Sequence, residues 1–332
     1  SLPGYISGKI SSPQALMVTG DNTSRDIDFF ETIDNIKILN NTAATAIDRE
    51  NNRLEVEDLH SGRSRMLPYE ILVLATGAVP SIPSISGINQ KGIFTLRSLE
   101  DAEKIRSALS SGLARDVYII GGGLIGISAA EELQDAGARI TILEKKDYVL
   151  RKMLDPDIAG HIQAELNKKG IRIYTKCEVE KIDKIGDSLR IRASTGSHDA
   201  DMIIISAGVA PNIELALNAG LEIGQSGGIK IDKHLKTSDD SIYAVGDCAE
   251  SVHLTTGKHE YWPLGSVSTK MGRIAADNIC GRNIEFPGSI GTAIFRMRDL
   301  NVARTGLTVR SAWKEGFDVI SAVVAGRDHA ES

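Results

Sequence analysis

Cysteine, aromatic residues, excess positive charge and long apolar runs are all scarce in this sequence, and each scarcity closes a class of function. Three cysteines in 332 residues (Cys177, Cys248 and Cys280) are an odd number with no CxxC pair and no metal-ligand spacing. They fit reduced intracellular thiols better than a disulfide scaffold, and a cytoplasmic location is expected. A net charge of −6 offers no basic field to nucleic acid or to an anionic membrane. No apolar stretch approaches the ~20 residues that a membrane-spanning helix needs. The opening, SLPGYISGKI, has no Met and no secretory pattern, and Leu2-Pro3-Gly4-Tyr5 followed by Gly8 reads as turn-like. With 42% apolar residues the chain still buries substantial cores, and its length suggests two or three domains.

The densest local signal lies in the middle, at DVYIIGGGLIGISAAEELQDAGARITILEKK. It reads as a buried strand from Val117 to Ile120, a glycine turn, and a helix with Leu124, Ile125, Ala129, Ala130 and Leu133 at apolar positions. The helix stops at Gly137, and a second strand runs from Ala138 to Leu143. In this βαβ context each glycine has a task. Gly121 permits the tight turn, Gly123 lets the backbone approach a pyrophosphate, and Gly126 lets the helix pack closely on the strand. The helix start, at Leu124 and Ile125, offers N–H groups and a positive dipole end to phosphates. Glu144 ends the second strand, where a carboxylate accepts hydrogen bonds from an adenosine ribose. The competing possibility is a glycine-rich turn with no ligand.

An internal repeat surrounds this motif. In ILVLATGAVP an apolar strand runs into Gly77 and Pro80, and in MIIISAGVAP another runs into Gly208 and Pro211. Upstream of each lies a stretch with the pattern of a β-meander, with Ile47-Asp48 matching Ile182-Asp183 and Ser61-Gly62 matching Thr195-Gly196. Gly121 precedes Gly208 by 87 residues, and the same spacing counted back from Gly77 falls before Ser1. The first unit is therefore expected to lack its opening βαβ. A third block, TSDDSIYAVGDCAE, contains a short apolar strand from Ile242 to Val245 followed by Gly246-Asp247.

These runs, with LATG, GGGLIG, SAGVAPN and WPLGSVSTKMGRIAADNICG, resemble the pyridine nucleotide-disulfide oxidoreductase family across essentially the whole chain, and especially its branch of coenzyme A-disulfide reductases, NADH oxidases and related flavoprotein reductases. The resemblance implies an α/β fold of two Rossmann-like units with β-meanders, plus the start of an α+β interface domain. Residues 1–112 and 236–290 would form the FAD-binding domain, 113–235 the NAD(P)H-binding domain, and 291–332 an incomplete dimerisation domain. It assigns NAD(P)H to Gly121, Gly123, Leu124, Ile125, Gly126, Glu144 and Gly208. FAD would meet Thr76, Gly77, Gly246, Asp247, Leu264 and Gly265, with Asp247 on the ribityl chain and the helix after Leu264 aimed at the flavin pyrimidine. From Gly291 three short strands are expected, GTAIFRM, LNVARTG and FDVISAVVAG.

The implied chemistry is hydride transfer from NAD(P)H to flavin, then on to a small-molecule disulfide such as coenzyme A disulfide, or to oxygen, in a homodimer. No catalytic residue lies in the chain itself, because the branch carries a redox cysteine just before the run that SLPGYISG resembles, and a cysteine is expected immediately before Ser1. Of the three cysteines present, Cys177 is read in an alternating strand, Cys248 in a turn and Cys280 near a helix end, all as structural thiols. A second reading is a cysteine-free flavoprotein reductase serving a carrier protein such as rubredoxin or ferredoxin. A third, non-enzymatic reading has the chain bind NAD(P)H alone, since without the missing glycine turn it is expected to hold FAD poorly and to be inactive by itself. Two departures matter. Ser128 stands where family members often carry Glu, and Lys145 and Lys146 follow Glu144, where they could receive the 2′-phosphate of NADPH; NADH is favoured modestly over NADPH.

Overall fold

Near-continuous apolar strands demand cover on both faces, and the central sheet receives it. A computed structural model of the protein describes residues 2–20, 23–112, 114–297 and 300–326. Its centre is a five-stranded parallel sheet in the spatial order Ile93–Thr95, Met202–Ile205, Asp116–Ile120, Arg139–Leu143, Arg172–Tyr174. Alternate residues of each strand divide between two cores, as a period of two requires. Val117, Ile119, Ile140, Ile142, Met202 and Ile204 pack under three helices, Leu99–Ser110, Leu124–Asp135 and Pro156–Lys168. Tyr118, Ile120, Leu143, Ile203 and Ile205 pack instead with Ile182, Leu189 and Ile191 of a β-meander on the opposite face. The first helix is set by a complete capping box, with Ser98 accepting from the Asp101 N–H and Asp101 accepting from that of Ser98.

Both repeats fold as three-stranded antiparallel meanders, Thr42–Asp48 with Arg53–Asp58 and Ser64–Pro68, and Val179–Ile185 with Ser188–Ala193 and Gly196–Ala200. They match in detail as well as in outline. The first strand of each carries a register shift, between Ala44 and Ala46 in one and between Val179 and Lys181 in the other, at the offset that relates Ile47 to Ile182. The meanders feed two short strands, Ala78–Pro80 and Val209–Pro211, that pair antiparallel with each other. Around this pair the hydrogen bonds are reciprocal: the Ser81 N–H donates to the Gly208 carbonyl and the Asn212 N–H to the Gly77 carbonyl, each at 2.9 Å. Beside the crossing, Leu72–Leu74 lies parallel to Ile242–Ala244. A separate core there joins Leu74, Ile242 and Ala244 to Val267, Met271 and Ala275 of the Gly265–Ile279 helix.

Three expectations are corrected. Leu2-Pro3-Gly4-Tyr5 is not a turn but the start of a five-residue helix, Leu2–Ile6, that buries Tyr5 and Ile6. Proline in a first helical turn sacrifices no hydrogen bond, which is why the pattern misleads. Cys177 lies between strands rather than within one, its buried thiol 3.0 Å from the Thr195 hydroxyl. In the C-terminal part, Ala293–Met297 and Leu300–Arg304 form a hairpin, followed by a helix, Val309–Lys314. FDVISAVVAG forms no strand: over 317–326 it is irregular, with Ile320 98% exposed and no partner strand among the described residues to take its backbone hydrogen bonds. Ser1 and residues 327–332 lie outside the described residues. Among those described, no helix is long and apolar enough to cross a membrane.

Gly208 tests the crossing through its backbone alone, because its φ is +125° while a Cβ would meet only the Ser81 hydroxyl at 3.9 Å. Gly208→Ala is expected to lower unfolding free energy by about 1–3 kcal/mol, the cost of one strained residue, read as a lower urea midpoint with unchanged slope.

Candidate functional site

The glycine turn between Ile120 and Leu124 is built by exclusion of side chains. Gly121 has φ +112°, and a Cβ there would lie 2.4 Å from the Ser206 carbonyl oxygen. At Gly126, one turn into the helix, a Cβ would lie 2.2 Å from the Gly121 carbonyl oxygen and 2.5 Å from Ser206 Oγ. The Ser206 hydroxyl donates to the Gly121 carbonyl at 2.7 Å, tying the end of the neighbouring strand to the turn. Gly123 differs from both: as helix N-cap it is extended (φ −82°), and nothing stands within 4 Å of where its Cβ would be. Space is therefore kept open directly before the helix start, where the first N–H groups, including those of Leu124 and Ile125, have no intrahelical acceptors.

Glu144 closes the turn from the next strand. One carboxylate oxygen accepts from the Gly122 N–H at 2.6 Å and the other from the Lys146 N–H at 2.7 Å. The carboxylate thus lies beside the glycines, 22 residues from Gly122 in sequence. Lys145 turns away to an ion pair with Glu178 at 2.5 Å.

The first unit's residues gather where the Ile242–Ala244 strand ends. Gly246 (φ +75°), Asp247 and Cys248 form a single 3-10 turn. Asp247 accepts from the Ser268 hydroxyl at 3.0 Å, and its other oxygen is 3.5 Å from the Arg97 guanidinium. Arg97 also donates to the Ala78 carbonyl at 3.1 Å and stands 3.3 Å from where a Gly77 Cβ would be. Leu264 is the N-cap and Gly265 the first residue of the 15-residue helix that carries Ser268. Thr76 spends its hydroxyl on the Asn212 carbonyl at 2.6 Å, so its side chain locks the crossing. The Tyr261 hydroxyl has no hydrogen-bond partner among the described residues; burial, reinforced by the charge of Asp247, pushes it up to about 12, so it stays protonated as a donor at neutral pH.

Between the two groups lies a cleft of about 680 Å³, bordered by Arg97, Leu124, Ile125, Ser128, Glu131 and, from the first helix, Leu2 and Pro3. Ser128 faces this cleft, and Glu131, one turn further along the same helix, brings a carboxylate to it. On its rim Lys9 bridges Asp135 and Glu132, which hold its amine above the ordinary lysine range. Sequence reasoning missed Arg97, Ser206, Ser268, Tyr261 and Glu178. Ser206 and Ser268 lie inside recognised runs, SAGVAPN and WPLGSVSTKMGR, but a serine there carries no signal of its own; "TLRSLED" reads only as a helix start, and its arginine becomes informative once Gly77, Ala78 and Asp247 meet around it.

The glycine turn, the parallel sheet and the paired meanders define a Rossmann-type α/β protein with two related units. The chain belongs to the pyridine nucleotide-disulphide oxidoreductase family, whose model matches residues 9–272. It is 37% identical over 272 residues to an NAD(P)H sulfur oxidoreductase (CoA-dependent) of Pyrococcus furiosus, covering 80% of this chain and 60% of that protein. An NADH oxidase of Methanocaldococcus jannaschii is 34% identical over 313 residues, 94% of this chain and 68% of its own length. Among solved structures, an NAD-dependent persulfide reductase from A. fulgidus superposes with a TM-score of 0.91 at 39% identity, covering 96% of this chain and 58% of that one. The chain therefore spans about 60% of the length of the Pyrococcus protein.

Gly126→Ala forces a methyl group against a backbone carbonyl and the Ser206 hydroxyl, and is expected to destabilise the fold by about 1–3 kcal/mol, as overpacking does. Gly123→Ala, in open space, meets no clash and is expected to lose only the cap preference, about 1 kcal/mol or less. Paired urea titrations check both.

Proposed function

We propose that this chain is the nucleotide-handling part of an FAD- and NAD(P)H-dependent oxidoreductase, with residues 113–235 binding the pyridine nucleotide and residues 1–112 and 236–290 contributing to the flavin site. The observation that carries the reading is the Glu144 carboxylate fixed against the Gly122 N–H at 2.6 Å beside a helix start kept open by Gly123. A carboxylate for ribose hydroxyls and unpaired N–H groups for a pyrophosphate then stand in the order a dinucleotide needs. The first unit also fits a flavin: the unpartnered Tyr261 hydroxyl and the Asp247 carboxylate are a donor and an acceptor at a strand end beside the glycine crossing.

When bound, the two cofactors supply hydride transfer from nicotinamide to flavin. The chain's own residues bind and orient. Gly123, Leu124 and Ile125 present the helix start to phosphate, and Glu144 holds the adenosine ribose. Arg97, anchored by Asp247 and the Ala78 carbonyl, sets a positive charge on the cleft wall. The Gly265–Ile279 helix directs its N-terminal N–H groups and dipole toward developing negative charge. Leu2, Leu124 and Ile125 give that cleft apolar walls.

For the acceptor, the names of the relatives support a sulfur compound, a coenzyme A-linked polysulfide or disulfide, or oxygen. Cys177 and Cys248 are buried, and neither they nor Cys280 line the cleft. Transfer to a carrier protein is the second reading. A cytoplasmic homodimer is the expected setting.

Titration of NADH into the purified protein, followed by fluorescence, tests the nucleotide site. Glu144→Ala is expected to weaken binding by about 1.5–3 kcal/mol, the scale of hydrogen bonds to a charged group. Gly123→Ala is expected to weaken it roughly tenfold, about 1.4 kcal/mol, in a protein that remains folded. Unchanged affinity in both variants would overturn the assignment.

A further inference from the structure

Two lysines follow Glu144, and they stand in different electrostatic situations. Lys145 is held by Glu178 at 2.5 Å, while Lys146 has no ion-pair partner among the described residues and gives its backbone N–H to Glu144. Glu178 reaches this position because the segment before the second meander runs alongside the end of the Arg139–Leu143 strand. The Cys177 N–H donates to the Glu144 carbonyl at 2.9 Å and the Lys176 N–H to the Lys146 carbonyl at 2.7 Å. Glu178 is fixed in turn through its backbone, whose N–H donates to Ser194 Oγ at 3.0 Å and whose carbonyl accepts from the Ser194 N–H at 2.9 Å. Farther along the loop, Arg151 is likewise neutralised, by Asp147 at 2.6 Å. Of the three cations that follow Glu144 between residues 145 and 151, two already have a carboxylate partner.

A nucleotide bound through Glu144 places its 2′ position at this ring of charge. An unphosphorylated ribose needs acceptors, which Glu144 supplies. A 2′-phosphate needs uncommitted cations, and Lys145 is committed.

We infer that Glu178 is a coenzyme-specificity residue: by holding Lys145 it withholds a cation from a 2′-phosphate and biases the site toward the unphosphorylated coenzyme. The inference rests on the nucleotide reading above and adds to it a residue from outside the βαβ motif, 34 positions after Glu144 in sequence. Both partners of the pair are more than half exposed, so the interaction is weak and solvent-screened. Its removal therefore tunes selectivity by a modest factor and leaves the fold intact.

ADP-ribose and 2′-phospho-ADP-ribose report on this site without nicotinamide or flavin chemistry, and calorimetric titration of both into the purified protein reads the discrimination directly. Glu178→Gln is expected to raise affinity for 2′-phospho-ADP-ribose roughly three- to tenfold, at most about 1.4 kcal/mol, with ADP-ribose affinity unchanged. Lys145→Ala in the parent is expected to change neither ligand by more than about twofold, because the lysine is already occupied, yet in the Glu178→Gln background it should abolish the gain. If ADP-ribose binds and Glu178→Gln leaves the discrimination as it was, or if Lys145→Ala alone weakens the phosphorylated ligand, the role of Glu178 is refuted while the nucleotide site stands. If neither ligand binds the parent protein, the nucleotide reading itself falls and the specificity role with it.

Discussion

The approach of the Leu124–Asp135 helix to the Asp116–Ile120 strand is the constraint from which the site follows. It is possible only because two residues lack side chains: Gly121 and Gly126 sit where any Cβ would enter backbone or the Ser206 hydroxyl. That closeness brings the helix start up to the strand end and turns its N–H groups outward. It also lets the next strand deliver Glu144 to the Gly122 N–H. The apolar walls of the cleft, Leu124 and Ile125, are the first residues of the same helix. Packing and the shape of the proposed nucleotide site are thus one requirement, and Gly123 is the glycine spared from packing.

The electrostatics are local rather than global. The excess of acidic over basic residues sets no partner, and the charges that matter are a few held groups. Glu144 is fixed by two backbone N–H groups, Asp247 by Ser268 and Arg97, and Glu178 by its own pair with Lys145. Backbone donors cost no side-chain entropy to position, which makes Glu144 the more rigid of these carboxylates. The exposed pairs around it adjust preference and contribute little to stability.

Much of this was legible in sequence because glycine and strand patterns are local signals. The βαβ strands and helix agree with the expected spans to within a residue at most boundaries, and the Gly-x-x-Pro repeat revealed two related units before their pairing was seen. What escaped was non-local. Arg97 gains meaning from Ala78 and Asp247, the latter 150 residues away, and Glu178 from Lys145, 33 residues away. The hydroxyl of Thr76, expected near a cofactor, is taken by Asn212, 136 positions on. The apolar run at 317–326 read as a short strand, but a strand requires a partner, and a local run does not report one. Leu2-Pro3-Gly4-Tyr5 misled in the opposite sense, since its turn-forming residues occupy a helix's first turn.

The crossing of Ala78–Pro80 with Val209–Pro211 bears on how the protein comes apart. Each unit's glycine carbonyl is satisfied by an N–H from the other, and the Thr76 side chain adds a third bond across the same joint. Neither segment can leave its place without exposing the other's polar backbone, and each segment follows directly on a strand inside its own unit's core. Two units of similar pattern and separate hydrophobic cores thereby share one hydrogen-bonded boundary. Opening one unit at this joint therefore carries a cost in the other, the kind of coupling that joins neighbouring cores into one cooperative unit.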